Sequence, residues 1–156
     1  MKGTMPGVTL IADWDPKPGF KLGKKDIEGR QTYLGSQVWR HPRFEIREYD
    51  IPSPGAEDVV IQVKACGICG SDVHMAQEAK DGYIFYPGLT GFPSILGHEF
   101  SGIVVEAGKN ARDKRTNKPF KGGEPVTSEE MLWCGQCKPC ADGQPNHCEQ
   151  LDEVGF

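Results

Sequence analysis

With 156 residues, 22 acidic against 18 basic and a net charge of −4, the chain can bury the core of one domain. That charge offers little hold to nucleic acid or an anionic membrane. No run approaches the roughly eighteen consecutive apolar residues of a membrane-crossing helix, and "MKGTMP" lacks the apolar centre of a signal peptide. A cytoplasmic protein is expected, with no nucleic acid and no membrane as partner.

Twenty glycines and twelve prolines favour short strands and turns over a helical bundle. In chain order, residues 7–12 (GVTLIA) read as a strand, and residues 15–35, with Pro16, Pro18 and four glycines, as an irregular loop. Residues 44–49 alternate apolar and charged side chains over most of their length, the pattern of a half-buried strand. Pro52-Ser53-Pro54-Gly55 is a turn. Residues 59–65 form the clearest strand, with Val59, Ile61, Val63 and Ala65 expected on one side. Ser71-Asp72 offers an N-cap to a helix over residues 73–80. Residues 83–93 read as loop, and 100–106 as a β-branched strand. Residues 109–121 hold six basic side chains against one acid, Asp113. With no aromatic interleaving beyond Phe120, that run reads as a solvated surface loop. The whole predicts a mainly β fold with short helices, a partly open barrel.

Six cysteines in a cytoplasmic chain argue for metal or thiol chemistry rather than disulfides. Cys134-x2-Cys137-x2-Cys140-x7-Cys148 places four thiolates within fifteen residues, enough to close a tetrahedron around one Zn2+. A ferredoxin run would continue with x3-C-P, whereas here seven residues intervene and Pro139 precedes Cys140. His147 is a bystander to that shell. Cys66 and Cys69, in "CGICGSDVH", are also spaced as in half a zinc finger or a redox pair. Cys69 with the His98-Glu99 of "GHEF" offers a thiolate, an imidazole and a carboxylate, ligands that suit a zinc with an open position. His41, beside Pro42, has no evident partner in the sequence.

"VKACGICGSDVH", then "LGHEFSGIVVEAG", then the four-cysteine lobe together resemble the zinc-dependent medium-chain alcohol and polyol dehydrogenases. Within that family, "GYIFYPGLTGFP", "EEMLWCGQCKPC" and the loops at 15–38 and 109–121 resemble the inosose dehydrogenases of inositol catabolism. Threonine and sorbitol dehydrogenases share the main motifs. The resemblance implies a GroES-like catalytic domain over residues 1–156, with loop insertions near 15–38 and 109–121 and a structural zinc lobe at 134–148. It implies two zincs, one structural and one catalytic, and NAD or NADP in the complete enzyme. By the same resemblance, Cys69 ligates the catalytic zinc with His98, and Glu99 is either a ligand or a partner that adjusts the metal. Cys66 would be a small packed residue at a strand end. Ser71 would hydrogen-bond the substrate oxygen, and His74 would pass its proton outward.

Two features depart from the family pattern. No G-x-G-x-x-G follows a strand, so a dinucleotide-binding Rossmann domain is not expected in this chain, and the resemblance implies that the strands closing the barrel lie in the same missing part. The expectation is the N-terminal part of a dehydrogenase that oxidises a small alcohol or polyol, inactive by itself and homo-oligomeric when complete. A free-standing zinc-binding interaction module is the alternative. Residues 123–126 read Gly-Glu-Pro-Val where the family usually has Gly-Asp-Arg-Val, which removes an arginine but no ligand.

Overall fold

The computed structural model describes residues 3–113, 115–127 and 129–156. Met1, Lys2, Ser128 and Lys114 of the basic run lie outside them. Among the described residues, ten short or medium strands and three short helices follow in order, beginning with β1 (Thr4–Trp14), α1 (Lys24–Gly29), β2 (Gln31–Thr32), β3 (Trp39–Asp50) and β4 (Val59–Cys66). After these come α2 (Gly70–Ala76), β5 (Thr90–Gly91), β6 (Ser94–Ile95), β7 (Phe100–Ala107), β8 (Pro125–Thr127), β9 (Met131–Leu132), α3 (Lys138–Ala141) and β10 (Asp152–Glu153). The fold is mainly β, and its strands form two three-stranded and two two-stranded sheets rather than a closed barrel.

The chain divides into two compact units. One contains Arg47–Gly67 and Glu99–Ser128 together with the residues before Val8; the other contains Val8–Ile46, Ile68–His98 and Glu129–Phe156. In the first unit, β4, β7 and β8 form an antiparallel sheet in that order. The β4–β7 register runs from Val59↔Ala107 to Cys66↔Phe100 and is irregular between Val60 and Ile61 and again between Val63 and Ala65. Those irregularities undo the expected alternation: Val60 is the buried member, whereas Val63 is 52% exposed. The basic run folds back through an Arg112↔Pro119 bridge, with Asp113 Oδ1 accepting from the Arg115 and Thr116 N–H groups at 2.8 Å each. It borders an open cavity of about 620 Å³ lined by Lys118, Phe120, Lys121 and Glu124 among others.

The second unit holds the aromatic core. Trp39 packs edge-on against Trp14 at 4.8 Å and Phe92 at 5.0 Å, over Val38 and Ile84. Its indole N–H donates to the Thr90 carbonyl at 3.4 Å, and the Tyr83 hydroxyl donates to the Asp15 carbonyl at 2.8 Å, so the expected loop at 83–93, which also holds β5, is anchored by buried Tyr83, Ile84, Leu89 and Thr90 while Phe85 stays exposed. Within the expected loop at 15–35, α1 forms because Asp26 accepts from the Gly23 N–H at 2.7 Å and Lys24 pairs with Glu28 at 3.6 Å. It stops at Arg30, in the left-handed region at φ 47°. None of its residues is buried, so no apolar periodicity announced it. His41 does have a partner: its Nδ1 stands 3.7 Å from Glu78.

Candidate metal centres

The lobe lies at the end of a small hairpin. β9 and β10 pair antiparallel, Leu132 opposite Asp152 and Met131 opposite Glu153, and the chain between them wraps from Cys134 to Cys148. Gly135 and Gly143 take left-handed φ values of 73° and 78°, which a side chain would strain. The Cys137 N–H donates to the Cys134 sulfur, and the Cys134 and Gln150 N–H groups donate to the Cys148 sulfur, each at 3.3 Å. All four sulfurs lie within 4.8 Å of one another. Cys148 is 3.5 Å from Cys134 and 3.9 Å from Cys137, far beyond a disulfide bond.

Zn–S bonds of about 2.3 Å in a tetrahedron set sulfur–sulfur edges of roughly 3.8 Å, so these spacings fit a zinc ion. Donation from the Gln136 and Cys137 N–H groups lowers the Cys134 thiol to about 6. Burial, and then the neighbouring thiols, push Cys140 up to about 12. Such crowding of like groups is what a cation relieves. His147 is exposed beside the lobe.

The second centre gathers at the start of α2. The helix begins one turn earlier than expected: Cys69, not Ser71-Asp72, is its N-cap, and Asp72 sits at N3 with its Oδ2 accepting from the Cys69 N–H at 2.9 Å. It also ends earlier, because residues 77–84 fold back through a Glu78↔Ile84 bridge and a turn at Gly82. The Cys69 sulfur, a His98 ring nitrogen and a Glu99 carboxylate oxygen lie within 4.8 Å of one another. His98 is only 3% exposed. Its Nδ1 faces Asp72 Oδ1 at 3.7 Å, and neither of these buried atoms has a hydrogen bond. Its Nε2 faces Ser71 Oγ and Glu130 Oε2, each at 3.5 Å.

A histidine that ligates a metal through one nitrogen usually gives its other N–H to a carboxylate, and Asp72 is placed to receive it. The donor set and these orphaned polar atoms fit a divalent metal. Burial alone would lower the His98 pKa, but the Cys69 thiol, then Asp72 and Glu130, outweigh it and hold the ring above its ordinary value. Glu153 is raised by burial and then by Glu130.

The structure therefore brings Cys69, Ser71, His98 and Glu99 together. His74, three residues after Ser71 on α2, is exposed. Cys66 ends β4 as expected but is exposed rather than packed, its thiol donating to the Gly67 carbonyl at 3.4 Å. Gly67 leaves room for the Glu99 side chain where it stands, since a Cβ there would displace the Glu99 carboxylate. Two further residues stand at this centre: Asp72, expected only as a cap although its spacing from Cys69 is a usable signal, and Glu130, which carries no motif.

Residues 55–156 match the alcohol dehydrogenase GroES-like domain family. The chain is 64% identical over 155 residues to scyllo-inosose 3-dehydrogenase from Thermotoga maritima, covering 97% of this chain and 39% of that protein. A solved structure of an alcohol-dehydrogenase-type protein from T. maritima superposes with a TM-score of 0.85 at 64% identity, covering 97% of this chain and 38% of its own. An Escherichia coli alcohol dehydrogenase solved with NADH superposes with a TM-score of 0.59 at 27% identity, covering 98% of this chain and 32% of its own. The chain thus spans well under half the length of the relatives it matches. Among the described residues, no helix is long and apolar enough to cross a membrane.

Proposed function

Because this chain belongs to the alcohol dehydrogenase family through its GroES-like domain, we propose that it is the zinc-binding part of a nicotinamide-dependent dehydrogenase. The proposed substrate is a secondary alcohol on a polyol, with an inositol-derived cyclitol as the favoured class. The observation that carries this reading is the convergence of Cys69 with His98 and Glu99, separated in sequence, within 4.8 Å. The 64% identity to an inosose dehydrogenase supports the substrate class.

Cys69, His98 and Glu99 would hold the catalytic zinc, and Cys134, Cys137, Cys140 and Cys148 the structural one. When bound, the catalytic zinc supplies Lewis-acid polarisation of the substrate oxygen. Asp72 fixes the tautomer and tilt of the His98 ring from its Nδ1 side. Ser71 Oγ, 3.5 Å from His98 Nε2, is placed to take the alcohol proton, and exposed His74 one turn further on α2 can release it to solvent. The sequence holds no G-x-G-x-x-G stretch, and the 156 residues alone are proposed to be inactive. The complete protein is proposed to assemble as a homo-oligomer.

The test is to assay the complete protein with NAD and NADP against a panel of cyclitols, linear polyols and simple secondary alcohols, before and after zinc removal. Zinc-dependent oxidation of a cyclitol is expected. Full turnover after complete removal of zinc from both centres would refute the proposal.

A further inference from the structure

We infer that Glu130 is a substrate-recognition residue of the His98 centre, its carboxylate accepting a hydrogen bond from a hydroxyl next to the one oxidised. The inference rests on the dehydrogenase reading above and deepens it, assigning the preference for polyols over monohydric alcohols to a particular side chain.

Glu130 Oε2 and Ser71 Oγ stand the same 3.5 Å from His98 Nε2. The His98 side chain is 1% exposed and that of Glu130 44%, so histidine forms the floor and the carboxylate stands at the open rim. At 3.5 Å the contact with His98 is too long for a strong hydrogen bond, which leaves the carboxylate's acceptor capacity available to an incoming hydroxyl. The three ligand atoms that close to within 4.8 Å come from Cys69, His98 and Glu99, and Glu130 reaches that set through its 3.5 Å approach to His98 Nε2.

Vicinal oxygens of a polyol are themselves roughly a hydrogen-bond length apart. Ser71 Oγ and Glu130 Oε2 each stand 3.5 Å from one nitrogen, which limits their separation to a span that two neighbouring hydroxyls can bridge, one at Ser71 and the next at Glu130. The Phe156 ring lies 4.9 Å from the His98 ring and 5.5 Å from that of Tyr86, giving the same space an aromatic side suited to the C–H face of a cyclitol.

The backbone holds Glu130 firmly. Its carbonyl accepts from the Val154 N–H at 2.9 Å, the β9–β10 ladder begins at the next residue, and Cys134 follows four residues on. The lobe and its hairpin thus set where the Glu130 backbone stands, and with it the reach of an acceptor of the kind that discriminates substrates by hydroxyl count.

The test compares the complete, zinc-loaded protein with its Glu130→Ala and Glu130→Gln variants, using myo-inositol and cyclohexanol as substrates. Metal content and the spectrum of the Co2+-substituted Cys69 centre are measured alongside. For Glu130→Ala, the ratio of kcat/KM for inositol over cyclohexanol should fall at least about tenfold, mainly through KM, the scale of a charge-assisted hydrogen bond. Glu130→Gln should fall between the two, and metal content and spectrum should stay as in the parent. An unchanged ratio, a parallel loss on both substrates, or a shifted Co2+ spectrum that marks Glu130 as a ligand would each overturn the inference. Parent protein that oxidises cyclohexanol but no polyol overturns it while leaving the dehydrogenase reading intact. Parent protein that oxidises no alcohol overturns both.

Discussion

Asp72→Asn separates two duties that one carboxylate performs. Oδ2 accepts from the Cys69 N–H at 2.9 Å, and Oδ1 stands 3.7 Å from His98 Nδ1 with no hydrogen bond of its own. The side chain is almost wholly buried, so it has no water to fall back on. Asparagine keeps an acceptor for the Cys69 N–H but loses the charge that faces His98. Stability should therefore change by no more than about 0.5 kcal/mol, whereas Asp72→Ala, which also loses the cap, should cost about 1 kcal/mol or more. Carboxylates that orient metal-binding histidines contribute about 10- to 100-fold to metal affinity, equivalent to roughly 1.4–2.7 kcal/mol. Both variants should show that loss at the Cys69 centre and none at the four-cysteine lobe. Co2+ titration reads the two apart, because tetrathiolate and mixed sulfur–nitrogen–oxygen sites absorb differently, and thermal unfolding reads the cap. If both variants bind metal at the Cys69 centre as tightly as the parent, Asp72 does not orient His98.

If the proposed reading holds, Cys69→Ala in the complete protein should reduce alcohol oxidation more than about 1000-fold, because it removes a proposed ligand of the Lewis acid. Cys66→Ala should stay within about threefold of the parent, since that thiol is exposed and donates to the neighbouring Gly67 carbonyl; equal losses with folding intact would reverse the assignment. Cys148→Ser should lower the zinc content by one per chain and cost on the order of 4 kcal/mol, as loss of a buried metal ligand does. Elemental analysis and thermal unfolding check it, and an unchanged zinc content would show that the lobe is not a metal site.

The parts of this fold legible in the sequence were those where one short stretch carries the whole signal. The lobe's ligands all lie within fifteen residues, so their spacing alone predicted convergence. Strands β1, β3, β4 and β7 were visible through β-branched or alternating residues, although β1 and β3 extend further at both ends than the apolar pattern did. Helix α1 was invisible because it rests on local caps and buries nothing. The facing of β4 was misread because its two irregularities arise from pairing with β7, which no local alternation encodes. The Cys69–His98 meeting was legible through family resemblance rather than physics, since spacing says nothing about two residues on different elements. Glu130 was illegible for the same reason: its place depends on β9 pairing with β10 across the whole lobe.

The stretch "CGICGSDVH" shows how one local motif can serve both folding and chemistry. A helix that begins at Cys69 needs an acceptor three residues on for its first exposed N–H group, and Asp72 supplies it. That requirement fixes Asp72 on the same turn as the thiolate, so the carboxylate that starts the helix also stands beside the imidazole. Ser71, one position earlier, is then carried to the other ring nitrogen without any further constraint. Gly67 completes the arrangement from outside the helix by leaving room for the Glu99 carboxylate. Changing the spacing between Cys69 and Asp72 by one residue would break the cap and the histidine contact together. The motif's compactness therefore follows from helix geometry, with the proposed metal ligand Cys69 placed as a consequence of it.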